Sequence, residues 1–122
     1  MHAHTALRAF NAELLLVSSG FDASALDPLS HTMLNSTAFG DMTRRLLRVA
    51  RDSSSTQGRV VFTHEGGYSD VHAPFCGLRV VEALAGVEPH NSNVVDPYDE
   101  EISRYAYQSL QPHQNDGKFF VI

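Results

Sequence analysis

Residues 14–22 are Leu-Leu-Leu-Val-Ser-Ser-Gly-Phe-Asp, an apolar run that ends in two serines, a glycine and a carboxylate. The unbroken apolar part, Leu14–Val17, is typical of a strand buried on both faces, as in a parallel sheet. A second such run, Arg59–Thr63, is followed by Glu65-Gly66-Gly67-Tyr68. Each polar motif therefore follows a predicted strand, at the edge of an open α/β sheet where ligands bind.

Helical patterns lie around and between these strands. A helix is predicted over Ser36–Asp52, where one apolar stripe recurs every three or four residues. The stripe consists of Phe39, Met42, Leu46 and Ala50. Residues 20–34 have no clear period and contain Pro28, which predicts a long loop, and loops of this kind are often functional.

Three further helices complete the predicted order. Thr5–Asn11 has the pattern of the last turns of a helix. A later helix is predicted to bury a stripe and to stop at Gly86. That stripe consists of Phe75, Leu78, Val81 and Leu84. Asp96-Pro97 is typical of a helix start, with acidic residues after it. The alternation of helix and strand predicts the α/β class.

Composition limits the classes of function. The chain has 122 residues, enough for one small domain, and 43% of them are hydrophobic. A net charge of −5 argues against a nucleic-acid-binding surface. The single cysteine, Cys76, excludes an intrachain disulfide and predicts a reducing compartment, so we expect an intracellular protein of the cytoplasm or nucleus. No apolar stretch approaches the roughly 18 residues of a membrane span.

The two motifs offer groups suited to metal-dependent hydrolysis. Asp22 follows a buried strand and presents carboxylate oxygens, which zinc accepts as ligands. Gly66 and Gly67 leave room for a substrate, and Tyr68 offers a hydroxyl that stabilises a developing oxyanion. Simpler interpretations stay open: Asp22 closing an Asx turn, Tyr68 packing half-buried, and the two glycines forming an ordinary loop.

As an ordered set, these motifs resemble the histone deacetylase-like amidohydrolases, in particular the class II and bacterial branch with its acetylpolyamine amidohydrolases. The matching segments run from residue 6 to residue 87. They are Ala6–Phe10, Ser19–Ala23, Asp27-Pro28-Leu29, Glu65–Tyr68 and Pro74–Leu78. The resemblance implies a three-layer parallel-sheet arginase/deacetylase-like fold, of which residues 1–122 would be the C-terminal portion, with residues 88–122 as a C-terminal helix and tail.

The resemblance also implies a role for individual residues. Asp22 corresponds to a family ligand of zinc, and Tyr68 to the residue that hydrogen-bonds the substrate carbonyl. Leu29 corresponds to a wall of the acyl-lysine tunnel, and Gly66 and Gly67 flank the pocket. The implied reaction is hydrolysis of an N-acetyl amide, with an acetylated lysine protein or an acetylpolyamine as the substrate and zinc as the cofactor.

Much of the family's catalytic site has no counterpart here. The other zinc ligands, an Asp-x-His pair, and the paired general-base histidines lie upstream of Gly-Phe-Asp in the family. An Asp-x-His occurs at Asp70–His72, but it follows Tyr68 and lacks the accompanying Gly-Asn-Gly, so we reject it as the ligand pair. The expectation is a truncated C-terminal part that is inactive alone.

Three hypotheses follow from these observations. The chain is part of a zinc-dependent deacetylase, or a non-catalytic interaction module that pairs with a full-length homologue. Alternatively, it is a small α/β domain that binds an anion at the Gly66-Gly67 turn. The first is preferred. It predicts no direct contact with nucleic acid or membrane, and it allows a homo-oligomer or a homologous partner chain.

Overall fold

The computed structural model describes residues 3–110. Its elements follow in the order α1 (Ala3–Phe10), β1 (Leu15–Ser19), α2 (Ser36–Asp52), β2 (Val60–His64), α3 (Ala73–Leu84) and α4 (Asp99–Leu110). A short 3-10 turn, Pro89–Asn91, lies between α3 and α4. The predicted alternation of helix and strand is confirmed. The predicted tail beyond residue 110 lies outside the described residues.

The two strands pair in parallel. Their register runs from Leu15 opposite Val60 to Ser19 opposite His64, and α2 lies between them in the sequence. Both strands extend beyond the predicted apolar runs, so Ser19 and His64 still belong to the ladder. Since the strands are parallel, both carboxyl ends lie at one edge of the sheet, as the sequence predicted.

Only one face of this sheet is covered in the described part of the chain. Leu15 is buried and Phe62 packs against the core, whereas Leu16 is 74% exposed and Val61 is 45% exposed. The prediction of a strand buried on both faces is therefore wrong for Leu14–Val17. Successive side chains of a strand point to opposite faces, and the described core lies against one of them.

The core lies between the sheet, α2 and α3. Phe21, Phe39, Cys76 and Val80 form its buried cluster. The rings of Phe21 and Phe39 meet edge to face, with centroids 5.4 Å apart. The two helices approach closely at Gly40, where an added Cβ would lie 3.2 Å from the carbonyl oxygen of Arg79. The loop after β1 thus supplies a central core residue, which fixes that loop beside the sheet edge.

Helix α2 has the predicted bounds. It begins after Asn35, whose side-chain oxygen accepts a hydrogen bond from the Ala38 amide at 2.9 Å. Phe39 and Ala50 of its predicted stripe are buried, but Met42 is 43% exposed. The predicted stripe therefore matches only part of the buried face of α2.

Helix α3 buries a different face from the one predicted. Cys76, Val80 and Ala83 point inward, whereas Val81 is 60% exposed and Leu84 is 43% exposed. The face that holds Cys76 and Val80 packs against Phe21 and Phe39, so Val81 and Leu84 lie away from the core. The predicted stripe was wrong because hydrophobicity alone does not show which face of a helix meets its neighbours.

Polar contacts hold the segment between α3 and α4. Arg79 donates to Glu82 at 2.8 Å and to the Val94 carbonyl at 3.1 Å, and the Ser92 hydroxyl donates to Glu82 at 2.5 Å. Burial alone would raise the pKa of Glu82. The hydrogen bonds from Ser92 and Arg79, with the positive charge of Arg79, nevertheless lower it below its ordinary value.

Helix α4 begins against the start of α2. Asp99, its first residue, accepts a hydrogen bond from the Thr37 amide at 3.3 Å and from the Thr37 hydroxyl at 3.0 Å. A carboxylate at this position suits the positive ends of both helices. The predicted start at Asp96-Pro97 lies before the observed one, and acidic residues do occupy the first turn. Among residues 3–110, no helix combines the length and the apolar character that crossing a membrane requires.

Candidate active site

The loops that leave the two strands are joined by backbone hydrogen bonds. The Glu65 amide donates to the Ser19 carbonyl, and the Phe21 amide donates to the Gly66 carbonyl, each at 3.3 Å. These bonds extend the contact between the two segments of the chain beyond the paired strands. As a result, the Gly-Phe-Asp motif lies directly against the turn Glu65–Tyr68.

Two glycines make this contact possible. A Cβ at Gly20 would lie 2.2 Å from the carbonyl oxygen of Glu65, closer than any side chain tolerates. Gly67 has a φ of +106°, and a Cβ there would lie 2.8 Å from the Cβ of Phe21. Gly20 does not have a positive φ, so it is required for the close approach of two backbones rather than for a sharp turn.

Asp22 and Tyr68 meet beside Gly66. A Cβ placed on Gly66 would lie 3.0 Å from Asp22 Oδ2 and 3.9 Å from the Tyr68 hydroxyl oxygen. Both oxygens therefore border the space that the missing side chain leaves open. The structure brings together the carboxylate, the phenol and the glycine that the sequence selected.

The two side chains are available to a ligand. Tyr68 is 59% exposed, which does not fit a packing residue. Asp22 is exposed, and its carboxylate accepts no hydrogen bond from the described residues, so it does not close an Asx turn. Leu29 is 66% exposed on the long loop (residues 20–35). All three therefore face solvent in the described part of the chain.

Asp27 connects these residues, and sequence reasoning missed it. Its buried carboxylate accepts the Leu29 amide at 2.9 Å through Oδ1 and the Tyr68 amide at 2.6 Å through Oδ2. In the sequence, Asp27 is distinguished only as part of the motif Asp27-Pro28-Leu29. An aspartate before proline suits a turn, and no local signal shows that its second oxygen reaches a residue far along the chain.

A groove of about 570 Å³ adjoins Tyr68. It is lined by Phe21, His64, Gly67, Tyr68, Ser69, Asp70, Ala73, Pro74 and Gly77. The imidazole of His64 stacks on Phe21 with ring centroids 4.9 Å apart, and its Nε2 lies 2.8 Å from the Gly66 carbonyl oxygen. Because a carbonyl only accepts, the Nε2 of His64 carries a proton and donates. His64 thus holds the turn Glu65–Tyr68 on the side that faces the groove.

The Asp-x-His sequence at Asp70–His72 has a structural role. His72 is fully buried, and its Nε2 lies 3.2 Å from Oδ2 of the buried Asp96. Its Nδ1 lies 3.8 Å from the Cys76 thiol, which is also buried. His72 is therefore enclosed by protein groups.

The buried Cys76 thiol is not an activated nucleophile. Burial first of all, and then the negative charge of Asp96, raise its pKa to about 12. The neutral thiol can donate to His72 Nδ1 while His72 Nε2 donates to Asp96, which satisfies all three groups. This arrangement ties the segment before α4 to the first turn of α3.

The described residues fit a zinc ion only in part. Asp22 offers a free carboxylate of the kind that zinc accepts. Within residues 3–110, however, no group of at least three histidine, cysteine, aspartate or glutamate side chains is arranged to hold a metal ion. We therefore derive no chemical step of the described residues through a metal.

Similarity to known proteins identifies the family of this chain. The family model for the histone deacetylase domain matches residues 1–84. A histone deacetylase-like amidohydrolase of Pseudomonas aeruginosa is 47% identical over 92 residues, covering 75% of this chain and 23% of that protein. The histone deacetylase clr3 of Schizosaccharomyces pombe is 34% identical over 80 residues, covering 66% of this chain and 11% of that protein.

A solved structure is also similar. The structure of the histone deacetylase Clr3 superposes with a TM-score of 0.63 at 26% identity, covering 84% of this chain and 17% of that chain. The arginase/deacetylase-like fold predicted from the motifs is thereby confirmed as a partial domain. The chain spans about a quarter or less of the length of these relatives. Its sequence and its fold both show that the chain belongs to the histone deacetylase domain family.

Proposed function

We propose that this chain contributes one half of the active site of a zinc-dependent deacetylase that hydrolyses N-acetyl-lysine or a related acetyl amide. One observation carries the proposal: Asp22 and Tyr68 border the same open space beside Gly66. A Cβ built on Gly66 would lie 3.0 Å from Asp22 Oδ2 and 3.9 Å from the Tyr68 hydroxyl oxygen. A metal-binding carboxylate beside a hydroxyl donor suits polarisation and stabilisation of an amide carbonyl.

Each site residue has a distinct role in this proposal. Asp22 is a protein ligand of zinc, and Tyr68 donates its hydroxyl proton in a hydrogen bond to the substrate carbonyl oxygen as negative charge develops there. Leu29 forms a wall for the acyl-lysine chain, while Gly66 and Gly67 keep the approach free of side chains. Zinc held by Asp22 together with ligands from further residues would supply Lewis acidity and lower the pKa of a bound water.

The proposal also predicts what the isolated chain lacks. One carboxylate is a weak zinc site, because catalytic zinc is typically held by about three protein ligands. The described residues gather no such set. We expect the 122 residues alone to be inactive. The further zinc ligands and the general base would come from other residues of the deacetylase domain, of which this chain corresponds to the C-terminal part.

We also propose a substrate, a location and partners for this protein. The substrate is an acetylated lysine protein or an acetylpolyamine. The protein acts in the cytoplasm or the nucleus without direct contact with nucleic acid or membrane. A homo-oligomer or a homologous chain is its expected partner. The net charge of −5 favours a cationic substrate over a polyanion.

A second candidate function is an interaction module without catalysis that pairs with a full-length homologue. The uncovered sheet face supports it, since Leu16 and Val61 lie opposite each other and are both well exposed. The described sheet has two strands, so each strand also has one unpaired edge. Such a surface favours pairing with another part of a deacetylase fold.

The experiment compares zinc-dependent hydrolysis of an acetyl-lysine reporter peptide by this chain, by the preceding part of the Pseudomonas aeruginosa relative, and by their mixture. Activity only in the mixture, abolished by Asp22→Ala and reduced about 100-fold or more by Tyr68→Phe, supports the deacetylase proposal. Asp52→Ala and Tyr105→Phe are matched controls, since both side chains are exposed elsewhere on the surface.

The outcomes separate the two candidates. Association without activity in the mixture favours the interaction module. Activity that survives both Asp22→Ala and Tyr68→Phe refutes the proposed site.

A further inference from the structure

The carboxylate of Asp27 links two loops that carry different site residues. One oxygen accepts the amide of Leu29 at 2.9 Å, and the other accepts the amide of Tyr68 at 2.6 Å. The residue is 6% exposed, so water competes little for either oxygen. Hydrogen bonds from backbone amides to a buried carboxylate are among the stronger polar contacts in proteins.

The link is separate from the turn that contains Asp27. The backbone of this turn is already held, because the Asp27 amide donates to the Ser24 carbonyl and the Ser30 amide donates to the Asp27 carbonyl, each at 3.1 Å. The local turn therefore does not need the oxygen that reaches Tyr68. That oxygen connects the long loop to the residue that follows Gly66 and Gly67.

We propose that Asp27 is a positioning residue that fixes the Tyr68 hydroxyl relative to Leu29, and so sets the geometry of the mouth of the acyl site. This inference rests on the proposed roles of Tyr68 and Leu29. Tyr68 follows a turn that is held at the Gly66 carbonyl, which accepts the Phe21 amide at 3.3 Å and lies 2.8 Å from His64 Nε2. Asp27 restrains Tyr68 at its own amide.

The consequence for catalysis is specific. Asn in place of Asp27 keeps the shape but turns an amide N–H₂ toward one of the two backbone donors, so one contact is lost. Tyr68 stabilises charge that develops in the transition state, so its displacement lowers kcat more than it changes KM. A purely structural role of Asp27 would instead lower the active fraction and leave the contribution of Tyr68 unchanged.

The test is a double-mutant cycle with Asp27→Asn, Tyr68→Phe and the double variant. Each variant is measured in the mixture with the preceding part of the Pseudomonas aeruginosa relative. We expect Asp27→Asn to lower kcat about tenfold or more in the wild type, because a hydrogen bond to a carboxylate is lost. In the Tyr68→Phe background the same change should lower kcat less than about threefold. Equal losses in both backgrounds overturn the proposal. Asp52→Asn removes an exposed carboxylate and serves as the matched control.

A second measurement does not depend on activity. Amide hydrogen exchange of the chain should show that Leu29 and Tyr68 are protected, and that Asp27→Ala, which removes both acceptor oxygens, lowers the protection at Tyr68 about tenfold while the Leu15 amide, bonded to Arg59, is unchanged. Unprotected Leu29 and Tyr68 amides in the wild type overturn the proposal even if the variant fails to fold.

The two measurements separate the possible failures. If amide exchange behaves as expected but the mixture with the preceding part of the Pseudomonas aeruginosa relative hydrolyses nothing, the deacetylase function is refuted. The hydrogen bonds that Asp27 accepts from Leu29 and Tyr68 are then retained. Activity as proposed, with independent effects of Asp27 and Tyr68, refutes the positioning role alone.

Discussion

Replacing Gly20 with alanine tests how closely the two strand ends are packed. The added Cβ would lie 2.2 Å from the Glu65 carbonyl oxygen, which belongs to the backbone and cannot rotate away. Relief therefore requires the loops to separate. That movement stretches two backbone hydrogen bonds, from Phe21 to Gly66 and from Glu65 to Ser19, which are already 3.3 Å long.

The magnitude follows from these contacts. Overpacking of a filled site costs about 1–3 kcal/mol. Each backbone hydrogen bond contributes about 1 kcal/mol to stability. We therefore expect Gly20→Ala to lower the free energy of unfolding by about 3–5 kcal/mol. A domain of this size has about 5–15 kcal/mol in total, so the effect is large.

The assay is equilibrium unfolding in urea, with Gly77→Ala as the matched control. Gly77 lies inside α3, and its added Cβ would meet the Phe21 ring at 3.4 Å, an ordinary contact. Alanine is favoured over glycine in a helix by about 1 kcal/mol, so this variant should be as stable as the wild type or slightly more stable. The same methyl group is thus expected to act in opposite directions at the two positions.

Two results would refute this reasoning. A loss below about 1 kcal/mol for Gly20→Ala would mean that the strand ends are not in close contact, since that is less than overpacking alone costs. A similar loss for Gly77→Ala would mean that the chain responds to any added methyl group.

Three further predictions concern the contacts between α3 and the segment that precedes α4. Asp96→Ala should lower the free energy of unfolding by about 3 kcal/mol, because His72 is left buried without its partner. Urea unfolding measures this loss. The control is Asp70→Ala, which removes an exposed carboxylate and should change stability by less than about 0.5 kcal/mol. The Cys76 thiol, buried and with a raised pKa, should react with a thiol reagent only after unfolding, as a colorimetric assay with and without denaturant would show. The lowered pKa of Glu82 stabilises the fold at neutral pH, and this contribution should disappear as the pH falls from about the ordinary value of 4.5 through the lowered folded value; thermal melts should therefore show a steeper acid loss for the wild type than for Glu82→Gln.

The sequence predicted those parts of the fold that depend on neighbouring residues. Helix α2 has the predicted bounds because its cap, Asn35, and its apolar residues all lie within one segment. The contact between Asp22 and the Gly66 turn was predictable for a different reason. Parallel strands bring their carboxyl ends to one edge, so two motifs that follow neighbouring strands lie close together.

Features set by distant packing could not be predicted. The buried face of α3 depends on its packing against Phe21 and Phe39, which come from the loop after β1 and from α2. The exposure of Leu16 depends on what covers the sheet, and its hydrophobicity gives no information about that. The second bond of Asp27 reaches 41 residues along the chain, beyond any local pattern.

The parallel pairing of β1 with β2 makes the candidate site a late product of folding. An antiparallel hairpin closes locally, whereas Leu15 reaches Val60 only after the chain has passed through the whole of α2. Contacts of such sequence separation form slowly because loop closure has to precede them. A nascent or partly folded chain can therefore contain α2 while Asp22 and Tyr68 are still far apart, so the geometry of this site reports whether β1 and β2 have paired.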